Sequence, residues 1–172
     1  MNGALKRCHY PLHVLDDVLP ILTGAKVFTI CDVKNGFWHL RLEQSSRLTF
    51  GTPFGRFKWK RLPFGISPAP ELFSSRLDEA LTGLTGVDTI ADILIRGSGK
   101  DVREAEADHD QNFTIFLRRC EEKGIKLHPE KCRHKIQTGR YSGHVITTEG
   151  LKPDDAKIAA MKNLPTPNNV QR

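Results

Sequence analysis

Two apolar runs of this 172-residue chain each meet a single carboxylate where a buried strand would carry none. The run VFTIC, residues 27–31, ends directly before Asp32, and the run TIADILI, residues 89–95, is interrupted by Asp92. An ionised carboxylate in such a place is costly unless a cation, a metal ion or hydrogen bonds compensate it. The fold therefore has to bring a compensating group to both acids.

The length and the charge of the chain limit the number of domains and the kind of partner that it can have. The chain is long enough for one domain with a sizeable core. It has 26 Lys and Arg residues against 20 Asp and Glu, and the net charge of +6 favours a polyanionic partner without identifying it. The four cysteines are scattered without CxxC pairs, which argues against a zinc ribbon or a secreted disulfide framework and favours a reducing, intracellular compartment. No apolar run approaches the roughly 20 residues that span a bilayer, so no membrane partner is expected.

Hydrophobic periodicity predicts an α+β fold, an antiparallel sheet with helices packed on one face. Helices are predicted over residues 16–23, 70–84, 102–123 and 154–163, and strands over 27–31, 37–42, around 52–55, within 89–96 and over 141–146. Strands 27–31 and 37–42 would form a hairpin through Lys34-Asn35-Gly36. The apolar stripe of the long helix would comprise Phe113, Phe116, Leu117 and Cys120. Asp32 and Asp92 would then lie side by side at the turn ends of two hairpins.

Two carboxylates from neighbouring strands are the minimum ligand set for Mg²⁺, which completes its shell with waters and substrate phosphates. Such a pair is the beginning of a two-metal phosphoryl-transfer site. Spacing alone leaves a simpler interpretation open, in which Asp32 is a turn residue and Asp92 a polar break at a strand bend. A zinc site at His128, Cys132 and His134 is not predicted, because no matching second pair of ligands accompanies them.

Longer motifs follow one another in a specific order along almost the whole chain. They include DVKNGFWHLRL, TPFGRFKWKRLPFGISPAPELF, IADILI, GIKLHPEKC and YSGHVITTEGLKPD. In this order they resemble the palm of reverse transcriptases from gypsy-type LTR retrotransposons. The resemblance implies an RNA-directed DNA polymerase with an RRM-like palm sheet and residual fingers strands over residues 1–150, and the start of the thumb or connection over 151–172. Most of the fingers and thumb would be missing.

The same resemblance implies partners and residue roles. Template-primer and dNTPs would be the substrates, Mg²⁺ (or Mn²⁺) the cofactor, and fingers, thumb and RNase H segments of the polyprotein the partners. Asp32 and Asp92 would bind metal, and Lys131 would lie near a lysine thought to protonate the leaving pyrophosphate. Phe37 would be the steric gate against a 2′-hydroxyl, and Phe64 and Gly65 would pack against the nucleotide. Nucleic acid would contact Arg56, Lys58 and Lys60, and also Tyr141, Gly143 and His144 of the primer grip.

One departure from the family pattern bears on activity. The motif IADILI has one aspartate where the family has two adjacent ones. Either Asp92 is the first acid and the second is deleted, or Ala91 replaces the first; the even match on both sides favours the deletion. A one-residue slip reverses the faces of a strand, so residues 93–95 would bulge or repack. A second gap is suggested at RLTFGTPFG, where only Thr49 stands in place of two threonines.

Three interpretations follow from this departure. The chain is a polymerase of very low activity, a catalytically inactive nucleic-acid-binding remnant of a retrotransposon, or a decayed copy that does not fold stably. Magnesium-dependent nucleotide binding would separate the first from the second, and a cooperative thermal transition would separate both from the third.

Overall fold

The computed structural model describes residues 5, 9–11, 17–43, 48–90, 92–141 and 143–164. The helices are α1 (Val18–Leu22), α2 (Ala69–Leu81), α3 (Val102–Lys123) and α4 (Asp155–Lys162), with 3₁₀ helices at Gly36–His39 and Pro129–Lys131. The strands are β1 (Ala25–Cys31), β2 (Thr49–Thr52), β3 (Gly55–Lys58), β4 (Val87–Thr89), β5 (Ile93–Ser98), β6 (Arg133–Ile136), β7 (Gly139–Tyr141), β8 (His144–Thr147) and β9 (Gly150–Pro153). Asp16, Ala91 and residues 165–172, which entered the predictions, lie outside the described residues.

The central sheet is antiparallel, in the order β4-β5-β1-β6, which confirms the predicted α+β class. Strand β1 is its middle strand, and its sequence AKVFTIC is rich in the β-branched and aromatic residues that suit a strand buried on both faces. The β2–β3 hairpin forms a separate two-stranded sheet, as predicted for the residues around 52–55.

Helices α2 and α3 cover one face of the central sheet. On this face Cys31, Ile93 and Ile95 pack with Leu81 of α2 and Phe116 of α3. The opposite face is covered by α1 and by the small sheet β7-β8-β9, through a cluster of Leu22, Phe28, Ile30, Leu94, Tyr141 and Ile146. The sequence predicted a single strand over residues 141–146, whereas the structure has the end of β7 and the start of β8 there, paired antiparallel with Tyr141 opposite His144.

Helix α3 begins and ends where predicted. The side chain of Asp101 accepts a hydrogen bond of 2.8 Å from the main-chain N–H of Glu104, and Gly124, with φ of 67°, ends the helix in the left-handed region. Its buried stripe comprises Ala105, His109, Asn112, Phe116 and Cys120. The predicted place of Leu117 on this stripe is wrong: its side chain is 42% exposed, because it lies one position beyond the face that meets the sheet.

The predicted hairpin of strands 27–31 and 37–42 is also wrong. Both edges of β1 are taken, by β5 and by β6, so no edge remains for residues 37–42. Asn35 adopts the left-handed conformation, and the 3₁₀ helix that follows satisfies its own backbone, with Trp38 N–H donating to Asn35 O at 2.8 Å. Beyond it, Arg41 forms an isolated bridge with Arg61.

Candidate active site

Asp32 and Asp92 lie next to each other at the ends of the two middle strands. Strands β1 and β5 pair with Cys31 opposite Ile93, so Asp32 and Asp92 are the next opposed residues. Each acid lies two residues from an apolar side chain of the cluster under the small sheet, Asp32 from Ile30 and Asp92 from Leu94, where its strand ends or begins. The two aspartates line one open depression of about 470 Å³. The predicted neighbourhood is therefore present, but it arises from direct pairing of the two strands.

Asp92 directly precedes β5, whose pairing with β4 runs without a register break as far as Ile93 opposite Thr89. The predicted bulge over residues 93–95 is not observed, because these residues pair in unbroken register with residues 87–89 of β4. Tyr141 supports the turn from the small sheet, since its hydroxyl donates a 3.0 Å hydrogen bond to the main-chain oxygen of Asp92.

Lys131 is the cation that compensates Asp32. Its Nζ atom lies 2.5 Å from Oδ2 of Asp32. Lys131 is the last residue of the 3₁₀ helix Pro129–Lys131, which leads through Cys132 into β6, the strand that pairs with β1 at Arg133 and Ile30. The hydrogen bond to Asp32 and the charge of that carboxylate raise the pKa of Lys131 above its usual value. The main-chain oxygen of Asp32 is bonded as well, to the N–H of His128 at 2.9 Å.

The surroundings of Asp92 disfavour the ionised form of its carboxyl group. Burial raises the pKa of its carboxyl group above the usual value, and the neighbouring charge of Asp32 adds to the rise. Arg133 and Lys131 act in the opposite direction. The charge of Asp92 is therefore only partly compensated by the protein, as expected for an acid that a further cation would stabilise.

Aromatic rings form the neighbouring wall. The ring of Phe37 lies 5.0 Å from that of Phe64 and 5.7 Å from that of Phe73, measured between centroids. A second depression, of about 410 Å³, is lined by Phe37 and Phe64 together with Asp32, Asp92 and Lys131. The structure thus brings together five of the residues that the resemblance singled out. Gly65 follows Phe64 in the same turn, with φ of 81°.

The candidate nucleic-acid residues lie elsewhere. Arg56 and Lys58 lie on β3 and Lys60 just after it, all three exposed and none lining these two depressions. Tyr141 is only 1% exposed, so its side chain supports the Asp92 turn from inside the protein. Gly143 and His144 belong to the turn and strand that follow β7.

Three polar residues of the site, and Phe73 of its aromatic wall, were not predicted as part of it from the sequence. Glu130 and Arg133 line the larger depression beside the two aspartates. His128 lines the smaller one, and its Nδ1 atom is buried without a hydrogen-bond partner among the described residues. Their closeness in sequence to Lys131 was the only available signal, because β6, which sets their register, has no apolar pattern.

The donor atoms suit a hard cation. Asp32 and Asp92 offer carboxylate oxygens, which Mg²⁺ prefers together with waters and phosphate oxygens. Within the described residues no three His, Cys, Asp or Glu side chains form a group that could hold a metal ion by themselves. A cation at this site would need ligands from a substrate, and it would compete with Lys131 for Asp32. His134 is engaged away from the site, with its Nδ1 3.1 Å from the hydroxyl of Thr29.

An antiparallel sheet with helices on one face and paired acids on its two middle strands defines a domain of the polymerase-palm type. Residues 2–146 match the sequence profile of the family described as reverse transcriptase (RNA-dependent DNA polymerase), and the chain belongs to this family.

Its relatives are polyproteins of mobile elements and viruses. The chain is 32% identical over 175 residues to the retrovirus-related Pol polyprotein from transposon 412 of Drosophila melanogaster, covering 99% of the chain and 14% of that protein. It is 32% identical over 170 residues to the enzymatic polyprotein of cauliflower mosaic virus (strain Strasbourg), covering 90% of the chain and 24% of that protein. The chain thus spans less than a quarter of the length of these relatives.

Solved structures share the fold. The foamy viral protease-reverse transcriptase dRH in complex with double-stranded DNA superposes with a TM-score of 0.82 at 21% identity, covering 96% of this chain and 29% of that one. The foamy viral protease-reverse transcriptase in complex with an RNA/DNA hybrid gives 0.75 at 22% identity, covering 96% and 22%. Among the described residues, no helix is both long and apolar enough to cross a membrane.

Proposed function

We propose that this chain is the palm of a gypsy-type retrotransposon reverse transcriptase that adds dNTPs to a primer paired with an RNA or DNA template. The observation that carries the proposal is the opposition of Asp32 and Asp92 on the two middle strands, in one depression with Phe37 and Phe64. Fingers, thumb and RNase H segments of the same polyprotein are its proposed partners.

Each residue of the depression has a proposed task. Asp32 and Asp92 hold Mg²⁺ or Mn²⁺, which when bound supplies positive charge opposite the developing oxyanions of phosphoryl transfer. The ring of Phe37, which packs against Phe64 and Phe73, excludes a ribose 2′-hydroxyl from the depression. Lys131, once separated from Asp32, gives a proton to the leaving pyrophosphate.

Activity of this chain is proposed to be very low. The motif IADILI before and within β5 has one aspartate, Asp92, where the family motif has two adjacent ones, and Lys131 and Arg133 add positive charge near Asp92. Catalysis of this kind depends on positioning and metal charge, so a weakened metal site should reduce the rate by on the order of 10³-fold or more.

A second candidate is a nucleic-acid-binding domain without catalysis. The β2–β3 hairpin favours it, because Arg56 and Lys58 are exposed on β3 and Lys60 follows them, and clustered cations supply most of the affinity for a phosphate backbone.

Primer extension on poly(rA)/oligo(dT) with Mg²⁺ or Mn²⁺ tests these proposals. The chain is compared with a variant that has Asp inserted after Asp92, and each is also prepared with Asp32→Asn or with the control Asp155→Asn, an exposed acid on α4. Extension only by the inserted form, abolished by Asp32→Asn but not by Asp155→Asn, would support an impaired polymerase. Extension by the original chain would contradict the predicted loss of activity.

A separate measurement tests the second candidate, a nucleic-acid-binding domain without catalysis. Salt-sensitive binding of template-primer without extension by any form, including the inserted form within a longer polyprotein, would favour it. Failure of both binding and extension would contradict both proposals.

A further inference from the structure

We propose that Cys31 and Cys132 form an oxidation site, a pair of thiols that closes reversibly into a disulfide beside the Asp32–Lys131 ion pair. The two Sγ atoms lie 3.4 Å apart, and both cysteines are free thiols. The proposal rests on the geometry of β1 and β6 and does not depend on the proposed polymerase function.

The pairing of β1 with β6 brings the two sulfurs together. Ile30 of β1 pairs with Arg133 at the start of β6, and Cys31 and Cys132 are the chain neighbours of these two residues. The Sγ atoms, 3.4 Å apart, have to approach to about 2.0 Å to form a disulfide, and rotation of the two side chains is the movement that this requires.

The two thiols differ in solvent exposure, and this determines which of them reacts first with an oxidant. Cys31 is fully buried and packs against α2 and α3, whereas Cys132 is partly exposed just after the 3₁₀ helix Pro129–Lys131. An oxidant therefore reaches Cys132 first, and Cys31 is the resolving thiol. Cys120 is buried in the same apolar cluster but makes no thiol hydrogen bond within the described part of the chain.

The reaction is a thiol–disulfide exchange with a small disulfide such as oxidised glutathione. The sulfur of Cys132 attacks one sulfur of the oxidant, which forms a mixed disulfide and releases one glutathione thiol. The sulfur of Cys31 then attacks the sulfur of Cys132 and releases the second glutathione thiol. Two electrons pass to the oxidant, the thiol protons go with the two glutathione molecules, and the protein gains one Cys31–Cys132 bond.

The disulfide joins the strand that carries Asp32 to the segment that carries Lys131. It closes a long loop, from residue 31 to residue 132, and restricts the unfolded chain accordingly. Oxidation should therefore raise the melting temperature, by roughly 5–10 °C.

Peptide mapping of the whole chain tests the site directly. Folded protein is incubated with oxidised glutathione, exchange is stopped with acid, free thiols are alkylated as the chain is unfolded in denaturant, and digests are compared with and without dithiothreitol. We expect a cross-linked peptide pair containing Cys31 and Cys132, reversed by the reductant, with the rise in melting temperature in the same sample. A lasting glutathione adduct on Cys132 with Cys31 still free, or cross-links through Cys8 or Cys120, would overturn the proposal.

Matched variants make the test specific. Cys132→Ser should abolish both the cross-link and the rise in melting temperature, whereas Cys120→Ser and Cys8→Ser should retain both. A cooperative thermal transition of each reduced variant shows that it is folded. The mapping of the original chain decides the question even where a variant does not fold.

Discussion

The hydroxyl of Tyr141 reaches from the small sheet to the central sheet and donates a 3.0 Å hydrogen bond to the main-chain oxygen of Asp92. Tyr141 is almost fully buried, and its ring belongs to the apolar cluster with Phe28, Ile30 and Leu94. A residue that the resemblance assigns to primer contact thus also fixes the backbone of the turn that presents an acid of the candidate site.

Replacing Tyr141 with Phe removes this hydrogen bond and leaves the ring in place. The main-chain oxygen of Asp92 loses a donor in a partly buried position, so the free energy of unfolding should fall by about 1 kcal/mol. Urea denaturation checks the value, and Tyr141→Leu should cost more because it also removes aromatic packing. Equal stability of the original chain and Tyr141→Phe would show that the hydrogen bond does not support the turn.

The sequence predicted correctly those elements whose first and last residues are determined by neighbours in the chain. The observed bounds of α3 agree with the predicted ones because its N-cap, Asp101, and its C-cap, Gly124, each act on residues only a few positions away. The pairing of β1 was mispredicted because the rule of nearest-neighbour hairpins chose residues 37–42, whereas the true partners β5 and β6 come much later in the chain.

In the candidate site, too, some contacts could be predicted from the sequence and others could not. The closeness of Asp32 and Asp92 was predicted, since each acid directly adjoins an apolar strand, Asp32 after β1 and Asp92 before β5. The ion pair of Asp32 with Lys131 depends on the register of β6, whose sequence RHKI is largely exposed and shows no strand pattern. Lys131 was therefore found only through the resemblance, and Arg133 was not found at all.

Asp92→Asn should stabilise the protein at neutral pH. Burial and the charge of Asp32 raise the pKa of Asp92 in the folded state, so stability is lost as the pH rises from the ordinary pKa of Asp to that raised value, and the whole loss is present above it. Below the ordinary pKa of Asp the group is protonated in both folded and unfolded states, and the cost is absent. Denaturation at pH 7 and near pH 4 should show a gain for the variant that shrinks toward acid.

Asp32→Asn is the contrast for this prediction. It breaks a partly exposed ion pair with Lys131, so it should lower the stability by about 0–1 kcal/mol or leave it unchanged. A gain for Asp32→Asn as large as for Asp92→Asn would contradict the assigned cause.

His109 should make the fold sensitive to mild acid. Its side chain is fully buried, its Nε2 atom lies 2.7 Å from the hydroxyl of Thr29, and burial lowers its pKa below the ordinary value. The unfolded chain binds the proton first, so stability is complete above about pH 6.5 and falls as the pH drops below it. His109→Gln should lose about 1–2 kcal/mol at pH 7 but show a flatter profile between pH 7 and 5.

The exposed His9 supplies the matched control for His109. Urea midpoints measured across this pH range should show the full acid dependence in His9→Gln. An unchanged dependence in His109→Gln would assign the acid sensitivity to other groups.

Gly36→Ala should disturb the aromatic wall of the site. A Cβ atom at Gly36 would lie 2.7 Å from Cζ of Phe73, the ring against which Phe37 packs. Crowding of this kind costs about 1–3 kcal/mol. Gly51→Ala on β2 is the control, because a Cβ there meets no atom within 4 Å. Similar free energies of unfolding for the two variants would show that Phe73 moves aside without cost.

Lys131→Gln should strengthen the binding of Mn²⁺ to the folded chain. The ammonium group of Lys131, 2.5 Å from Oδ2 of Asp32, occupies an oxygen that a cation would use, and it repels a cation placed between Asp32 and Asp92. Removing one positive charge at this distance, largely screened by solvent, should increase the affinity by roughly 3–10-fold. Calorimetric titration measures it, with Lys126→Gln, an exposed cation outside both depressions, as the control. Binding that weakens in Lys131→Gln, or that persists in Asp32→Asn, would place the cation away from Asp32.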